Sequence, residues 1–289
     1  MLGEAANGYR VNNHSNQGIF LLGLGAQKAG TSWLHQQLNQ RDDVDFGFLK
    51  EYHVHDIRHV PDLMKPGHQQ RRLPGPRTLR RRAFISDPQR YYNYFRRLLK
   101  QPGILLTGDI TPSYGALPAS ALLEIRDNFS NRYIQVKPVF VMRDPIERLI
   151  SKQRMKLRKQ KIDDPRLELA ALRKLAESRP RGASLRGDYG RTLRNLNESF
   201  GLHSCFIGFY ETQFQAPNHQ QLCDFLSIPY TEPDWHQTVN QSRTSTIIPE
   251  DILAALGQWQ ASSFAAVEHW LPDIDIATLW PTANRWCRS

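Results

Sequence analysis

A short apolar run that leads directly into a glycine-rich turn is the feature that most restricts how this chain can fold. Residues 19–24 are apolar and flanked by glycines, which is typical of a strand buried on both faces. The segment GLGAQKAGTSWLHQQL, from Gly23 to Leu38, continues into a helix-like sequence. In a strand–turn–helix unit, backbone N–H groups at the helix N-terminus can surround an anion. The sequence therefore predicts a phosphate-binding loop.

The residues of this loop suit an anion but depart from the nucleotide triphosphatase pattern. Gly25 and Gly30 allow the tight turn, Thr31 and Ser32 offer hydroxyl donors, and Lys28 brings a positive charge. The triphosphatase pattern needs a lysine directly after the second glycine, where this chain has Thr31. We therefore predict a P-loop-like phosphate site of another kind.

The rest of the chain continues the same alternation of strands and helices. Further apolar runs lie at 44–49, 104–107, 138–142 and 205–210, and helix-period segments separate most of them. This alternation predicts an α/β fold of three layers, with a central, mostly parallel sheet flanked by helices. We expect one domain over 1–289, interrupted by a basic, proline-containing excursion at about 61–100. Ligands should bind beyond the carboxyl ends of the strands.

A second candidate phosphate site lies in PVFVMRDPIERLISKQRM, residues 138–155. Arg143 ends a predicted strand, and Asp144, followed by proline, has the features of a helix N-cap. Glu147 would complete a capping box with Asp144, and Ser151 would lie two turns into the helix. The forked guanidinium of Arg143 suits a phosphate, although an arginine in this position can also be a structural ion-pair partner.

Taken together, these segments resemble sulfotransferases that use 3′-phosphoadenosine 5′-phosphosulfate (PAPS). GAQKAGTSWL resembles the family's 5′-phosphosulfate loop, and residues 138–155 resemble its 3′-phosphate element. Residues 105–115 and 184–213, the second of which includes Glu211 near its end, resemble two further segments of the family. The resemblance implies PAPS as cosubstrate, 3′,5′-ADP (PAP) as product, and a mechanism that requires no metal.

The resemblance also assigns residues to the donor. The implied contacts are Lys28, Ala29, Gly30, Thr31, Ser32, Trp33, Arg143, Ser151, Tyr189 and Arg243. Trp33 and Tyr189 could stack on the adenine or pack in the core. Arg243 could reach the 3′-phosphate or be an ordinary surface charge.

A candidate acid–base group follows the second predicted strand in LKEYHVHDI. Glu51, His53 and Asp56 match the Glu-x-His-x-x-Asp pattern of the heparan sulfate 3-O-sulfotransferase branch. The match implies Glu51 as general base, His53 and Asp56 as contacts of the acceptor, and Lys28 as the charge that stabilises the leaving phosphate. Tyr114 is a further candidate for the acceptor cleft, although core packing is the safer interpretation for it, as for Trp33 and Tyr189. His53 is the alternative base, and an ordinary surface pairing of Glu51 with Lys50 is the alternative to any catalytic role.

The chain also departs from the heparan sulfate branch, and the departure at Ile110 weakens the expectation of a glycan-specific contact. Ile110 stands where that branch has a lysine before Thr-Pro. The branch's C-terminal disulfide and Gly/Lys-rich loop are not evident, and VNQSRTSTIIPE occupies residues 239–250 instead. The expected acceptor is therefore a carbohydrate or another small molecule, modified at a hydroxyl or, less expectedly, at an amine.

The charge balance favours anionic partners without selecting one. Lys and Arg number 38 against 28 Asp and Glu, giving a formal charge of +10. Nine arginines lie between Arg71 and Arg97, with tyrosines and a phenylalanine among them. An acidic saccharide surface, a nucleic-acid surface and a solvated basic face all fit, and nucleic acid is the least expected. The rival functions are a P-loop-type nucleotide kinase and a non-enzymatic polyanion or nucleic-acid binder.

The sequence also gives an expected compartment. The first residues show no basic segment followed by an apolar core, no apolar run approaches the ~20 residues of a membrane span, and three cysteines are too few for a disulfide scaffold. We expect a cytoplasmic protein without a transmembrane segment. Contact with an anionic membrane surface stays open, as does the oligomeric state.

Overall fold

A computed structural model describes residues 17–63, 75–237 and 246–283 of the chain. Its centre is a five-stranded sheet in which every strand pair is parallel and the order is β2-β3-β1-β4-β5. The strands are β1 (Gly18–Gly25), β2 (Val44–Asp45), β3 (Leu106–Ile110), β4 (Ile134–Met142) and β5 (Phe206–Phe209). The predicted α/β fold with a central parallel sheet is confirmed.

Helices connect and flank these strands. The α-helices are α1 (Thr31–Asn39), α2 (His55–His59), α3 (Pro76–Ser86), α4 (Pro88–Leu98), α5 (Ala119–Ser130), α6 (Pro145–Lys159), α7 (Pro165–Ser178), α8 (Arg181–Leu185), α9 (Tyr189–Phe200), α10 (Ala216–Leu226), α11 (Glu250–Trp270) and α12 (Ile276–Leu279). Short 3₁₀ turns lie at Pro61–Leu63, Pro112–Ala116 and Leu202–Ser204. Within the described ranges, no helix is both long enough and apolar enough to cross a membrane.

All five apolar runs form strands, but their lengths differ from the predicted ones. β2 has two residues instead of six, because Asp45 accepts a hydrogen bond from the Gly47 amide (2.7 Å) and the chain turns at Gly47, where φ is +76°. The polar residues that follow β2 are thereby free to leave the sheet. β4 begins four residues before the predicted apolar run, at Ile134.

The basic excursion contributes more to the core than the sequence suggested. The aromatic side chains of α4, which are Tyr91, Tyr92, Tyr94 and Phe95, are all buried. Phe95 packs edge-to-face on Phe20 of β1, with ring centroids 4.9 Å apart. The excursion is therefore not simply a surface segment, and these rings are not available to stack on bases.

Three chain segments meet beyond the carboxyl ends of the central strands. The Ala26 amide, just after β1, donates to the Val141 carbonyl near the end of β4 (2.5 Å). The Thr111 amide, just after β3, donates to the Gly23 carbonyl (3.1 Å). The predicted phosphate loop, the residues after β3 and the residues after β4 consequently share one edge of the sheet.

Candidate active site

The loop between β1 and α1 is arranged so that α1 begins with unpaired backbone donors. Gly30 is the N-cap of α1 in a left-handed conformation (φ +74°), and no side chain caps the helix. A Cβ atom on Gly30 would lie 1.6 Å from the side-chain nitrogen of Gln213, which would have to move, and the left-handed backbone conformation favours glycine. Because no side chain caps the helix, the first N–H groups of α1 are available to an anion.

Lys28 lies beside this helix end among other cations. Burial lowers its pKa, and the charges of Arg158, Arg143, Lys159 and Lys50 lower it further. A group of like charges around a half-buried lysine is electrostatically unfavourable in the absence of an anion. The loop therefore has the donors and the charge of a phosphate site.

Arg143 brings the second predicted phosphate element to the same place. Its Nη1 donates to the Lys28 carbonyl (3.2 Å), across 115 positions of sequence. The guanidinium also lies over the Tyr210 ring (4.3 Å), and its buried Nε has no hydrogen-bond partner. Ser151 lies on α6, eight positions after Arg143, and is mostly buried. Lys28 and Arg143 thus line one site.

The turn into α6 differs from the predicted capping box. Asp144 caps α6 as expected, accepting from the Ile146 and Glu147 amides (2.9 and 3.2 Å). The Asp144 amide, however, donates to Glu211 (3.0 Å) and not to Glu147. Glu147 instead pairs with Arg143 (3.4 Å). The capping-box prediction is wrong because a side chain from the turn after β5 takes the position that Glu147 would fill.

The two aromatic residues assigned to the donor lie in different surroundings. Tyr189 is only 1% exposed and packs on Phe140 and Trp280, so its ring has no open face for adenine. Its hydroxyl donates to the Arg143 carbonyl (2.7 Å), and Tyr189 therefore positions Arg143. Of the two alternatives for Tyr189, the structure therefore favours core packing over stacking on adenine.

Trp33, by contrast, lines a cavity of about 460 Å³ between α1, β5, α10 and α12. Its ring stacks on Trp235 (5.8 Å between centroids), and its buried Nε1 has no hydrogen-bond partner. The third assignment that could not be decided from sequence, Arg243, lies outside the described residues.

The predicted acid–base residues form a continuous chain of hydrogen bonds. His53 contacts Glu51 through Nε2 (3.2 Å) and Asp56 through Nδ1 (2.7 Å). The Ser113 hydroxyl donates to the same Asp56 oxygen (2.5 Å). His53 has a φ of +52°, an uncommon backbone conformation for histidine that often marks a functional position.

Opposite charges fix the protonation states of this chain. Burial raises the pKa of Glu51, but the His53 hydrogen bond and the Lys50 charge outweigh it and bring the pKa to about 2. Burial lowers the pKa of His53, but the hydrogen bonds to Asp56 and Glu51 raise it to about 10. At neutral pH, Glu51 is therefore a carboxylate and His53 an imidazolium that donates from both ring nitrogens.

Lys50, which the sequence offered only as a partner of Glu51 in the non-catalytic alternative, does pair with Glu51 and also contacts the phosphate loop. Its ammonium donates to the Ser32 hydroxyl (2.6 Å) and to Glu51 (3.0 Å), and so joins the phosphate loop to the acid–base chain. The only available signal was its place directly before Glu51, between a strand and a polar segment.

A buried carboxylate, Asp109, supports the segment that carries these residues. It accepts from the hydroxyls of Thr111 (2.6 Å), Tyr114 (2.8 Å) and Tyr91 (3.0 Å). Burial raises its pKa to about 6, and these hydrogen bonds oppose the rise. The Tyr114 hydroxyl also accepts from the Val54 amide (3.1 Å). Through Tyr114, Asp109 thus fixes the backbone at Val54, next to His53.

Of the two alternatives for Tyr114, this network favours core packing over a place in the acceptor cleft. Its side chain is fully buried, so it cannot contact an acceptor and acts on the site through the backbone. In the part of the chain that the structure describes, no group of three or more His, Cys, Asp or Glu side chains is arranged to hold a metal ion.

Comparison with known proteins gives a structural relationship and no sequence match. No family model and no curated protein matches the chain. Among solved structures, a sulfotransferase from Alicyclobacillus acidocaldarius is 20% identical with a TM-score of 0.61, over 90% of this chain and 97% of that one.

Two further structures are more distant and add nothing to the argument. The sulfotransferase domain of the Synechococcus PCC 7002 olefin synthase is 16% identical (TM-score 0.49, 88% of this chain and 94% of that one). The sulfotransferase domain from the curacin biosynthetic pathway is 16% identical (TM-score 0.43, 79% and 80%). The similarity to the first of these three structures shows that this chain has the fold of a sulfotransferase, as the resemblance of its sequence motifs predicted.

Proposed function

We propose that this protein is a sulfotransferase that moves a sulfuryl group from PAPS to a hydroxyl of its acceptor. The observation that carries the proposal is the meeting of Lys28 and Arg143 in one cationic site, joined through Lys50 to the carboxylate of Glu51. A bis-phosphorylated donor needs two separated cationic contacts, and transfer needs a base beside the sulfuryl group.

The donor fits three features of the described residues. The uncapped N-terminus of α1 suits the 5′-phosphosulfate, the unpartnered Nε of Arg143 suits the 3′-phosphate, and the cavity beside Trp33 suits the adenosine. In this proposal the contacts come from Lys28, Ala29, Gly30, Thr31, Ser32, Trp33, Arg143 and Ser151.

The chemistry that follows is an in-line displacement at sulfur. The acceptor oxygen forms a bond to sulfur while the bond from sulfur to the 5′-phosphate oxygen breaks. Glu51 takes the acceptor's proton, and the electron pair of the broken bond stays on the phosphate beside Lys28. His53 is disfavoured as base because both ring nitrogens donate to carboxylates and its pKa is about 10. His53 and Asp56 then orient Glu51 and the acceptor.

The proposed acceptor is a carbohydrate or another hydroxyl-bearing molecule, with an acidic one favoured by charge. The described arginines of the excursion lie on α3 and α4, where Arg80, Arg90 and Arg97 line a second, basic cavity of about 370 Å³. Arg80 also lies over Phe48, three residues before Glu51 (4.8 Å). Arg71 and Arg72 lie outside the described residues.

Nucleotide binding tests the proposal most directly. PAP should raise the melting temperature of the protein and bind in calorimetry, whereas 5′-AMP, which lacks the 3′-phosphate, should bind much more weakly. Turnover of ATP with Mg²⁺, combined with no binding of PAP, would favour the kinase and refute the proposal.

The role of Glu51 is tested by Glu51→Gln. PAP affinity should stay within about twofold, while turnover of PAPS with a competent acceptor should fall about 10²- to 10⁴-fold, the usual contribution of a general base. Glu177→Gln, at an exposed position of α7, is the matched control and should leave both unchanged. A large loss of PAP binding in Glu51→Gln would contradict the assignment of Glu51 as base.

A further inference from the structure

Lys50 occupies the junction between the two halves of the candidate site. Its ammonium donates at the same time to Ser32 of the phosphate loop (2.6 Å) and to the candidate base Glu51 (3.0 Å). The side chains of Lys50 and Glu51 are 32% and 35% exposed, so the pair opens to solvent and is not locked in the core. A lysine chain has enough rotatable bonds to move its charge between neighbouring anions.

The present pairing makes Glu51 a weak base. A carboxylate with a pKa of about 2 binds a proton poorly, and the Lys50 charge contributes to that low value. Lys50 also lies close enough to Lys28 to lower the pKa of Lys28. The structure thus holds two lysines near one helix N-terminus, with Glu51 as the carboxylate that pairs with Lys50.

An anion bound in the loop would compete with Glu51 for Lys50. Ser32 already accepts from the Lys50 ammonium. An anion oxygen that accepted from the Ser32 hydroxyl would therefore be at most two hydrogen-bond lengths from that ammonium. PAPS would bring sulfuryl oxygens to this position, whereas PAP has none. A contact of Lys50 with those oxygens should therefore strengthen the binding of PAPS and not that of PAP.

We propose that Lys50 is a catalytic residue that shifts from Glu51 to the sulfuryl group when the donor binds, so that donor binding removes one of the two cationic partners of Glu51 and leaves His53 as the other. This inference rests on the proposed function. In the transfer, the sulfur–oxygen bond to the 5′-phosphate breaks as the bond to the acceptor oxygen forms. Lys50 keeps its proton throughout, stabilises the sulfuryl oxygens, and leaves the acceptor's proton to Glu51.

The test compares Lys50→Met, which keeps the chain length and removes the charge, with Lys50→Arg, which keeps the charge. Calorimetry without acceptor gives the affinities for PAP and PAPS, and steady-state assays give kcat and KM. For Lys50→Met we expect PAP affinity within about twofold of wild type, but PAPS affinity about 10- to 100-fold lower, as for loss of a charged hydrogen bond. We also expect kcat to fall, and Lys50→Arg to restore part of the loss.

Lys100→Met is the matched control, because it removes the same charge at the opposite edge of the sheet. Lys100 is exposed and follows Leu99, which packs beside Gly18 at the start of β1. Equal weakening of PAP and PAPS by Lys50→Met, or an unchanged kcat, would overturn the role of Lys50 while PAP binding by wild type upheld the proposed function. Failure of wild type to bind PAP would refute the proposed function and the role of Lys50 with it.

Discussion

At the scale of single residues, the site depends on charges that set one another's protonation. Glu51 and His53 shift in opposite directions, to pKa values of about 2 and about 10, because each stabilises the charged form of the other. Two groups coupled in this way should both stay charged from mildly acidic to mildly alkaline pH. Activity limited by this pair should therefore be flat across the neutral range.

His53→Gln tests this coupling through the pH profile. Loss of the His53 hydrogen bond should raise the pKa of Glu51 from about 2 towards its ordinary value of 4.5. The acidic limb of kcat/KM should consequently move to higher pH. His59→Gln, in the helix α2 that follows His53 and paired with Glu124, is the control and should leave the acidic limb in place. An acidic limb that stays put or moves to lower pH in His53→Gln would contradict the coupling.

Arg143→Ala separates the two phosphates of the donor. The substitution should weaken the binding of PAP much more than the binding of adenosine 5′-phosphosulfate, which lacks the 3′-phosphate. The difference in binding free energy should be ~1.5–3 kcal/mol, as for a charged contact. Calorimetry with both nucleotides measures the difference. Arg90→Ala, at an exposed pair with Asp87, should affect neither. Similar losses of affinity for both nucleotides would show that Arg143 does not contact the 3′-phosphate.

At the scale of secondary-structure elements, the end of β3 holds the acid–base segment in place. The Tyr114 hydroxyl donates to Asp109 and accepts from Val54, so one buried group links β3 to the start of α2. Tyr114→Phe should lower the free energy of unfolding by about 1–3 kcal/mol, because it leaves buried groups without partners. It should also reduce kcat more than PAP affinity, since the donor loop lies on another segment.

Urea unfolding and calorimetry measure these two effects. Tyr133→Phe is the matched control, because Tyr133 is 82% exposed. A Tyr114→Phe protein as stable as wild type, or one that loses PAP affinity as strongly as kcat, would show that Tyr114 does not support the acid–base segment.

The elements also show what the sequence could and could not predict. The five strands and the cap at Asp144 were predictable, because apolar runs and N-caps act locally. Residues whose function depends on distant partners were not. The true partner of the Asp144 amide comes from 67 positions away, and Asp109 acts only because two tyrosines and a threonine converge on it.

The same limit explains the candidate site. Glu51, His53 and Asp56 could be grouped because their spacing matches a family pattern, and the structure brings them into contact. Lys50 could not be distinguished from a surface lysine, since its role comes from Ser32, 18 positions earlier. The sequence could not decide between cleft and core for Tyr114, because an aromatic residue after a strand end can face either.

At the scale of the whole molecule, a formal charge of +10 surrounds a site that we propose binds a strongly anionic donor. Long-range attraction should speed donor capture, and salt should screen it as the Debye length falls from about 30 Å at 0.01 M to about 8 Å at 0.15 M. Across that range kcat/KM for PAPS should fall severalfold while kcat changes little, because screening affects encounter more than the bound complex.

A charge variant can show whether this effect is local or spread over the surface. Among the charges that lower the pKa of Lys28, that of Arg158 is the strongest, so Arg158→Gln should lower kcat/KM at low salt and flatten its salt dependence. Arg90→Gln removes an equal charge on α4 and should change the slope less. If kcat/KM depended equally on salt in the two variants, the attraction would come from the net charge alone. A salt effect confined to kcat would contradict steering, because only the encounter step depends on fields that reach beyond the site.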